Sequence, residues 1–150
     1  MQELTAQDVW TIVAAALVLL MTPGLAFFYG GMTRVKAALN MMMMSFVSVG
    51  IIGVVWVLWG SSVASGDALI PGILGNPFTD FGSEQATHDG SLLGIAFSST
   101  FAIIAVALIS GAIADRAKFG AWCIFVPLWV TLVYAPVAYM VWADGGLLKD

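Results

Sequence analysis

Four stretches without a charged side chain cover most of this chain: Val9 to Thr33, Ala37 to Gly66, Gly90 to Ala114 and Phe119 to Ala143. A helix that crosses a bilayer needs about 20 predominantly apolar residues at roughly 1.5 Å rise each, and all four runs reach that length after their polar ends are trimmed. Lipid is therefore the expected solvent. The composition agrees, with 61% hydrophobic and 9% charged residues, against roughly a quarter charged in soluble domains. Within hydrocarbon a segment must satisfy its own backbone hydrogen bonds, and the runs lack the alternation of barrel strands, so each is a helix. The predicted fold class is all-α: a polytopic membrane bundle of four helices, at about 9–30, 38–63, 92–114 and 119–142, with an outer loop at about 66–90.

The first helix is expected to be retained and not cleaved as a signal peptide. Met1 to Asp8 carries Glu3 and Asp8 without Lys or Arg, and the apolar run is longer than a signal core. Orientation follows from the turns, because Lys and Arg concentrate on the cytoplasmic side. Arg34 and Lys36 join helices one and two, and Arg116 and Lys118 join three and four. The connector from Asp67 to Asp89 holds Asp67, Asp80, Glu84, Asp89 and His88 with no Lys or Arg. It lies on the other side, with the amino terminus. Glu3, Asp8, Asp144 and Asp150 join the same face, opposed by Lys149, so the outside is acidic and would concentrate cations. A solvated acidic loop with no transport role accounts for these charges equally well.

The net charge of -4 gives nucleic acid no electrostatic footprint. Cys123 is the single cysteine, so no intrachain disulfide forms, and packing inside the fourth span is its expected role. The charge-free runs hold no Asp, Glu, Lys, Arg or His, and so no paired metal-spaced histidines and no Ser, His and Asp set, and no catalytic site, metal or cofactor is expected. An intramembrane enzyme would need such groups. Pro23 in Thr22-Pro23-Gly24, with Pro127 and Pro136, favours kinks in the first and fourth helices.

Phe97 and Phe101 are four apart, so their rings leave one helix face one turn apart. Counting inward from Gly90 at about 1.5 Å per residue puts them roughly 10 and 16 Å below the outer boundary. Trp142, leaving the membrane on the same side, is level with or above them. Two readings fit these rings. One is lipid contact with an interfacial anchor; the other is an aromatic path for a small cation, where Trp offers about 2 kcal/mol when desolvated. Periodicity does not separate them.

Four stretches in order, Thr22 to Gly31 (TPGLAFFYGG), Ala96 to Ala102 (AFSSTFA), Gly111 to Phe119 (GAIADRAKF) and Leu132 to Trp142 (LVYAPVAYMVW), resemble the ammonium transporter family. The likeness runs from about Val9 to Leu148. It implies that Trp142 walls an external ammonium site, that Phe101 is one of two stacked gating rings beneath it, and that Phe97 lines the same vestibule. It further implies a multi-pass protein of the plasma membrane that moves ammonium or ammonia, homotrimeric when complete. About eleven helices in two inverted repeats are implied, so these 150 residues are expected to supply the entrance and part of the pore wall. The remaining transporter segments would carry an Asp near the external site, two pore histidines, a second gate Phe and a serine. The alternative is a truncated or small membrane interaction subunit that does not transport by itself. Asp115 stands where the family usually has Glu.

Overall fold

The computed structural model describes residues 5–89 and 91–149. Glu3, Gly90, Asp150 and the Asp89 side chain, which figure in the charge and boundary readings above, lie outside the described residues. Among the described residues, four helices are long and apolar enough to cross a membrane: α1 (Ala6–Met32), α2 (Val35–Ser65), α3 (Leu92–Ala112) and α4 (Phe119–Trp142).

α1 begins three residues before the expected position because Thr5 and Asp8 form a capping box. Asp8 N–H donates to Thr5 Oγ1 at 3.2 Å, and Thr5 N–H donates to Asp8 Oδ2 at 2.9 Å. The helix runs unbroken through Pro23 to Met32. Arg34 then turns the chain, its carbonyl accepting the N–H groups of Ala37 and Ala38. The expected kink in α4 takes a specific form. Pro136 has no N–H to return to the preceding turn, and the helix widens at Val130–Tyr134, where Ala135 N–H donates back to Val130. α2 widens in the same way at Trp56–Gly60, with Ser61 N–H donating to the Trp56 carbonyl.

α2 is the central helix, packed on α1, α3 and α4, and α1 also packs along α3. Met44, Ile52, Trp56, Val106, Trp122, Val126 and Val130 are buried between them. Lipid tails are as apolar as Leu, so the hydrophobic effect does little to hold such helices together, and close packing and interhelical hydrogen bonds do the work. Both are present. Trp122 Nε1 donates to the Met44 carbonyl at 2.8 Å and to Ser48 Oγ at 3.2 Å, and Ser45 and Ser110 share a hydrogen bond of 3.1 Å. Gly111 lets the Tyr29 ring lie against the backbone of α3.

The outer connector is more ordered than a punctuated loop. Strands β1 (Ala68–Ile70) and β2 (Leu74–Gly75) pair antiparallel, and a short helix follows at Glu84–Asp89. Ser62 Oγ donates to the Asp80 carbonyl at 2.9 Å and Ser83 Oγ to the Val57 carbonyl at 3.1 Å, strapping the connector onto α2. Gly75 permits this approach, since a Cβ there would stand 2.6 Å from the Ser62 carbonyl oxygen. Leu147 N–H donates to the Gly72 carbonyl at 2.9 Å, which ties the exit of α4 to the hairpin turn.

Candidate functional site

A cavity of about 750 Å³ opens among the ends of α2, α3 and α4 and the connector. It lies at the end of the bundle opposite the basic turns, because its walls include Gly66 past α2, Ser91 before α3 and Trp142 at the end of α4. Phe97, Phe101 and Trp142 all line it. The two Phe rings meet edge to face, with centroids 5.0 Å apart and planes at 79°. That arrangement leaves the negative face of one ring free. Trp142 is 77% exposed at the rim.

Trp56 and Tyr134 also line the cavity, and neither stands out in the sequence as a site residue. Each sits in a wide turn, and their rings meet at 5.7 Å, edge to face. Trp56 Nε1 donates to Ser98 Oγ at 3.1 Å, which braces the helix turn between Phe97 and Phe101. Pro136 is the available signal for Tyr134; for Trp56 there is none, since an inserted residue in a helix leaves hydropathy unchanged. Ser61, Thr79 and Asp80 line the cavity as well. They come from the α2 end and the connector, a wall that apolar periodicity does not reveal.

Charge is asymmetric between the two ends, with Asp115 the acid at the basic end and Lys149 the base at the cavity end. Asp67, Asp80, Glu84 and Asp144 stand at the cavity end, whereas Arg34, Lys36, Arg116 and Lys118 stand at the other. Just beyond Trp142, the Lys149 ammonium hydrogen-bonds to Asp144 and, with its charge, holds that carboxyl below the usual carboxylate range. Among the described residues, no group of three or more His, Cys, Asp and Glu side chains is placed to hold a metal ion. An aromatic cavity fed by an acidic surface can accept a small cation, strip part of its water and compensate with ring faces.

The chain as a whole is similar to known proteins. Residues 9–150 match the model of the Ammonium Transporter Family. An ammonium transporter of Mycobacterium tuberculosis is 48% identical across 94% of this chain, and one of Aquifex aeolicus is 44% identical across 97%. The crystal structure of Candida albicans Mep2 superposes with a TM-score of 0.80 at 28% identity over 95% of the chain. Saccharomyces cerevisiae Mep2 gives 0.80 at 30% identity over 95%. The chain spans 34% and 36% of the lengths of the two bacterial relatives, and 32% and 33% of the two Mep2 chains. An integral membrane protein with this bundle, these motifs and this family match belongs to the ammonium transporter family.

Proposed function

We propose that this chain forms the outer vestibule and part of the pore wall of a transporter that moves ammonium or ammonia across the plasma membrane. The observation that carries the reading is the convergence of Phe97, Phe101 and Trp142 on one cavity at the acid-rich end of the bundle. In this reading the acidic outer face raises the local ammonium concentration, and Trp142 meets the ion first. The Phe97 and Phe101 rings take over as water is lost. An ammonium-like ion keeps its charge there without a fixed counter-ion because ring faces supply the attraction. The amino terminus is outside, the basic turns are cytoplasmic, and the lipid-exposed faces of α1 to α4 meet either bilayer or further transporter segments. The complete assembly is a homotrimer.

The test is Trp142→Leu in the protein expressed from its complete reading frame, with ammonium uptake measured against concentration. Leu keeps apolar bulk and removes the strongest ring face. The expected loss is about 1–2 kcal/mol, or roughly five- to thirtyfold in apparent affinity, with insertion unchanged. Unchanged affinity in well-inserted protein would leave Trp142 as an interfacial anchor only.

A further inference from the structure

The aim of the vestibule rings depends on how α3 is held. Phe97 and Phe101 line the cavity from α3 and meet each other edge to face, and Phe101 is 42% exposed. Cavity space beside the pair offers little packing against a rotation of α3 about its axis. A side chain reaches roughly 5–6 Å from that axis, so a rotation of about 10° carries a ring by about 1 Å. Trp56 opposes such a rotation. It is 2% exposed, and its Nε1 donates at 3.1 Å to the Oγ of Ser98, which follows Phe97 and stands one turn before Phe101. The Ser98 hydroxyl donates its own proton to the Ile95 carbonyl at 3.0 Å, so a lone pair is what it offers the indole. Among the described residues this is the one hydrogen bond that joins the ring-bearing half of α3 to another helix.

Trp56 is itself held from two sides. It opens the wide turn of α2, where a Cβ on Gly60 would stand 2.9 Å from Trp56 Cε3, so the ring lies against its own helix. Across the cavity wall it meets Tyr134, in the wide turn of α4, edge to face at 5.7 Å. Widened turns inside helices are frequent at functional sites. We propose that Trp56 is a positioning residue: through Ser98 it sets the aim of the Phe97 and Phe101 rings, and with it the discrimination between ammonium and other small cations. The proposal rests on the vestibule reading above and deepens it. A ring displacement of about 1 Å, the scale set by the helix radius, changes the gap beside the rings and the face they present. Those are the two quantities by which an aromatic path tells one small cation from another.

The test uses the protein expressed from its complete reading frame, in proteoliposomes, with uptake of ammonium and of potassium normalised to inserted protein. Trp56→Phe keeps an aromatic ring and deletes the N–H donor. Uptake of potassium relative to ammonium should rise about three- to tenfold, with KM for ammonium within about twofold of wild type because Trp142 is intact. Ser98→Ala deletes the acceptor and should do the same, and combining the two should add little. Ser98→Thr keeps the hydroxyl and should bring selectivity back. Trp122→Phe is the control for loosened packing. That indole is 1% exposed, donates to the Met44 carbonyl and Ser48 Oγ on α2, and lies outside the cavity wall. It should lower thermal stability as Trp56→Phe does and leave selectivity at the wild-type level. Wild-type selectivity in either Trp56→Phe or Ser98→Ala overturns the positioning role, as does an equal leak in Trp122→Phe. Phe101→Ala and Trp142→Leu run in parallel separate the two readings. If Phe101→Ala leaks and Trp142→Leu loses affinity while Trp56→Phe is silent, the positioning role falls alone. If both are silent, the vestibule reading falls and takes the positioning role with it.

Discussion

The indole N–H of Trp59 donates to Thr131 Oγ1 at 2.9 Å, joining the wide turn of α2 to the wide turn of α4. Thr131 Oγ1 in turn donates to the Pro127 carbonyl at 2.8 Å. The clasp thus reaches the carbonyl one turn before the α4 bulge, and both bulges flank the cavity. Trp59→Phe keeps the ring and deletes the donor; Thr131→Val keeps the shape and deletes the acceptor. Each should cost about 1 kcal/mol, with a coupling of about 0.6–1.5 kcal/mol in a double-mutant cycle of thermal stability in detergent. Additive losses would show that the bond holds nothing.

How much of this was legible beforehand depends on which physical term sets each feature. Lipid forbids unpaired backbone, so the charge-free runs of α1 to α4 and the four-helix class are readable directly. Phe97, Phe101 and Trp142 are legible as neighbours in depth from rise per residue, although only the fold brings them to one cavity. The widened turn of α2 is not legible, and that of α4 is legible only as a disturbance near Pro136. One extra residue per turn re-aims Trp56, Trp59, Thr131 and Tyr134 without altering apolar content. Ser61, Thr79 and Asp80 escape for another reason: their wall is assembled from a helix end and the connector that folds back onto it, which apolar periodicity does not register. In the α3 to α4 turn, the residue that departs from the family pattern, Asp115, has a positive φ of 63° that composition could not suggest.

That backbone angle makes a prediction of its own. Asp tolerates the left-handed region better than most residues, and Ala does not share its local hydrogen bonding. Asp115→Ala should lower stability by about 1 kcal/mol, whereas Asp115→Gly should hold it. Melting temperatures in detergent decide the matter, and equal values for the Ala variant and wild type would remove the angle from the account.

Gly111 lets α1 and α3 approach closely. A Cβ there would stand 2.5–2.9 Å from three atoms of the Tyr29 ring, whose hydroxyl donates to the Leu108 carbonyl at 3.4 Å. Gly111→Ala should therefore destabilise by about 1–3 kcal/mol through overpacking. Tyr29→Ala added to it should restore part of the loss. A second substitution that only deepens the loss would mean that the ring is not the obstacle.

Topology can be settled by labelling. In a Cys123→Ala background, an impermeant thiol reagent should reach a cysteine substituted for Gly82, in the connector, and miss one substituted for Ala117, between Arg116 and Lys118. The reverse pattern would place Trp142 and the cavity on the cytoplasmic side. Recruitment from the external medium would then fail with it.

Phe101 and Trp142 line the same cavity but should fail differently when replaced. Trp142 is exposed at the rim, and under the proposed function its ring face adds affinity without narrowing the path. Phe101 lies roughly 6 Å deeper than Phe97 by helical rise, and its ring meets Phe97 edge to face. Removing it deletes the inner half of the pair and, under the proposed function, opens space where the path leads inward. Phe101→Ala should therefore leave apparent ammonium affinity within about threefold of wild type, since the strongest cation partner is intact. Discrimination against other small cations should fall, read as leak current or uptake of a competing ion in proteoliposomes containing the protein expressed from its complete reading frame. A Phe101→Ala variant with intact selectivity and a fall in affinity as large as that of Trp142→Leu would make Phe101 a second recruiting ring instead of a gate.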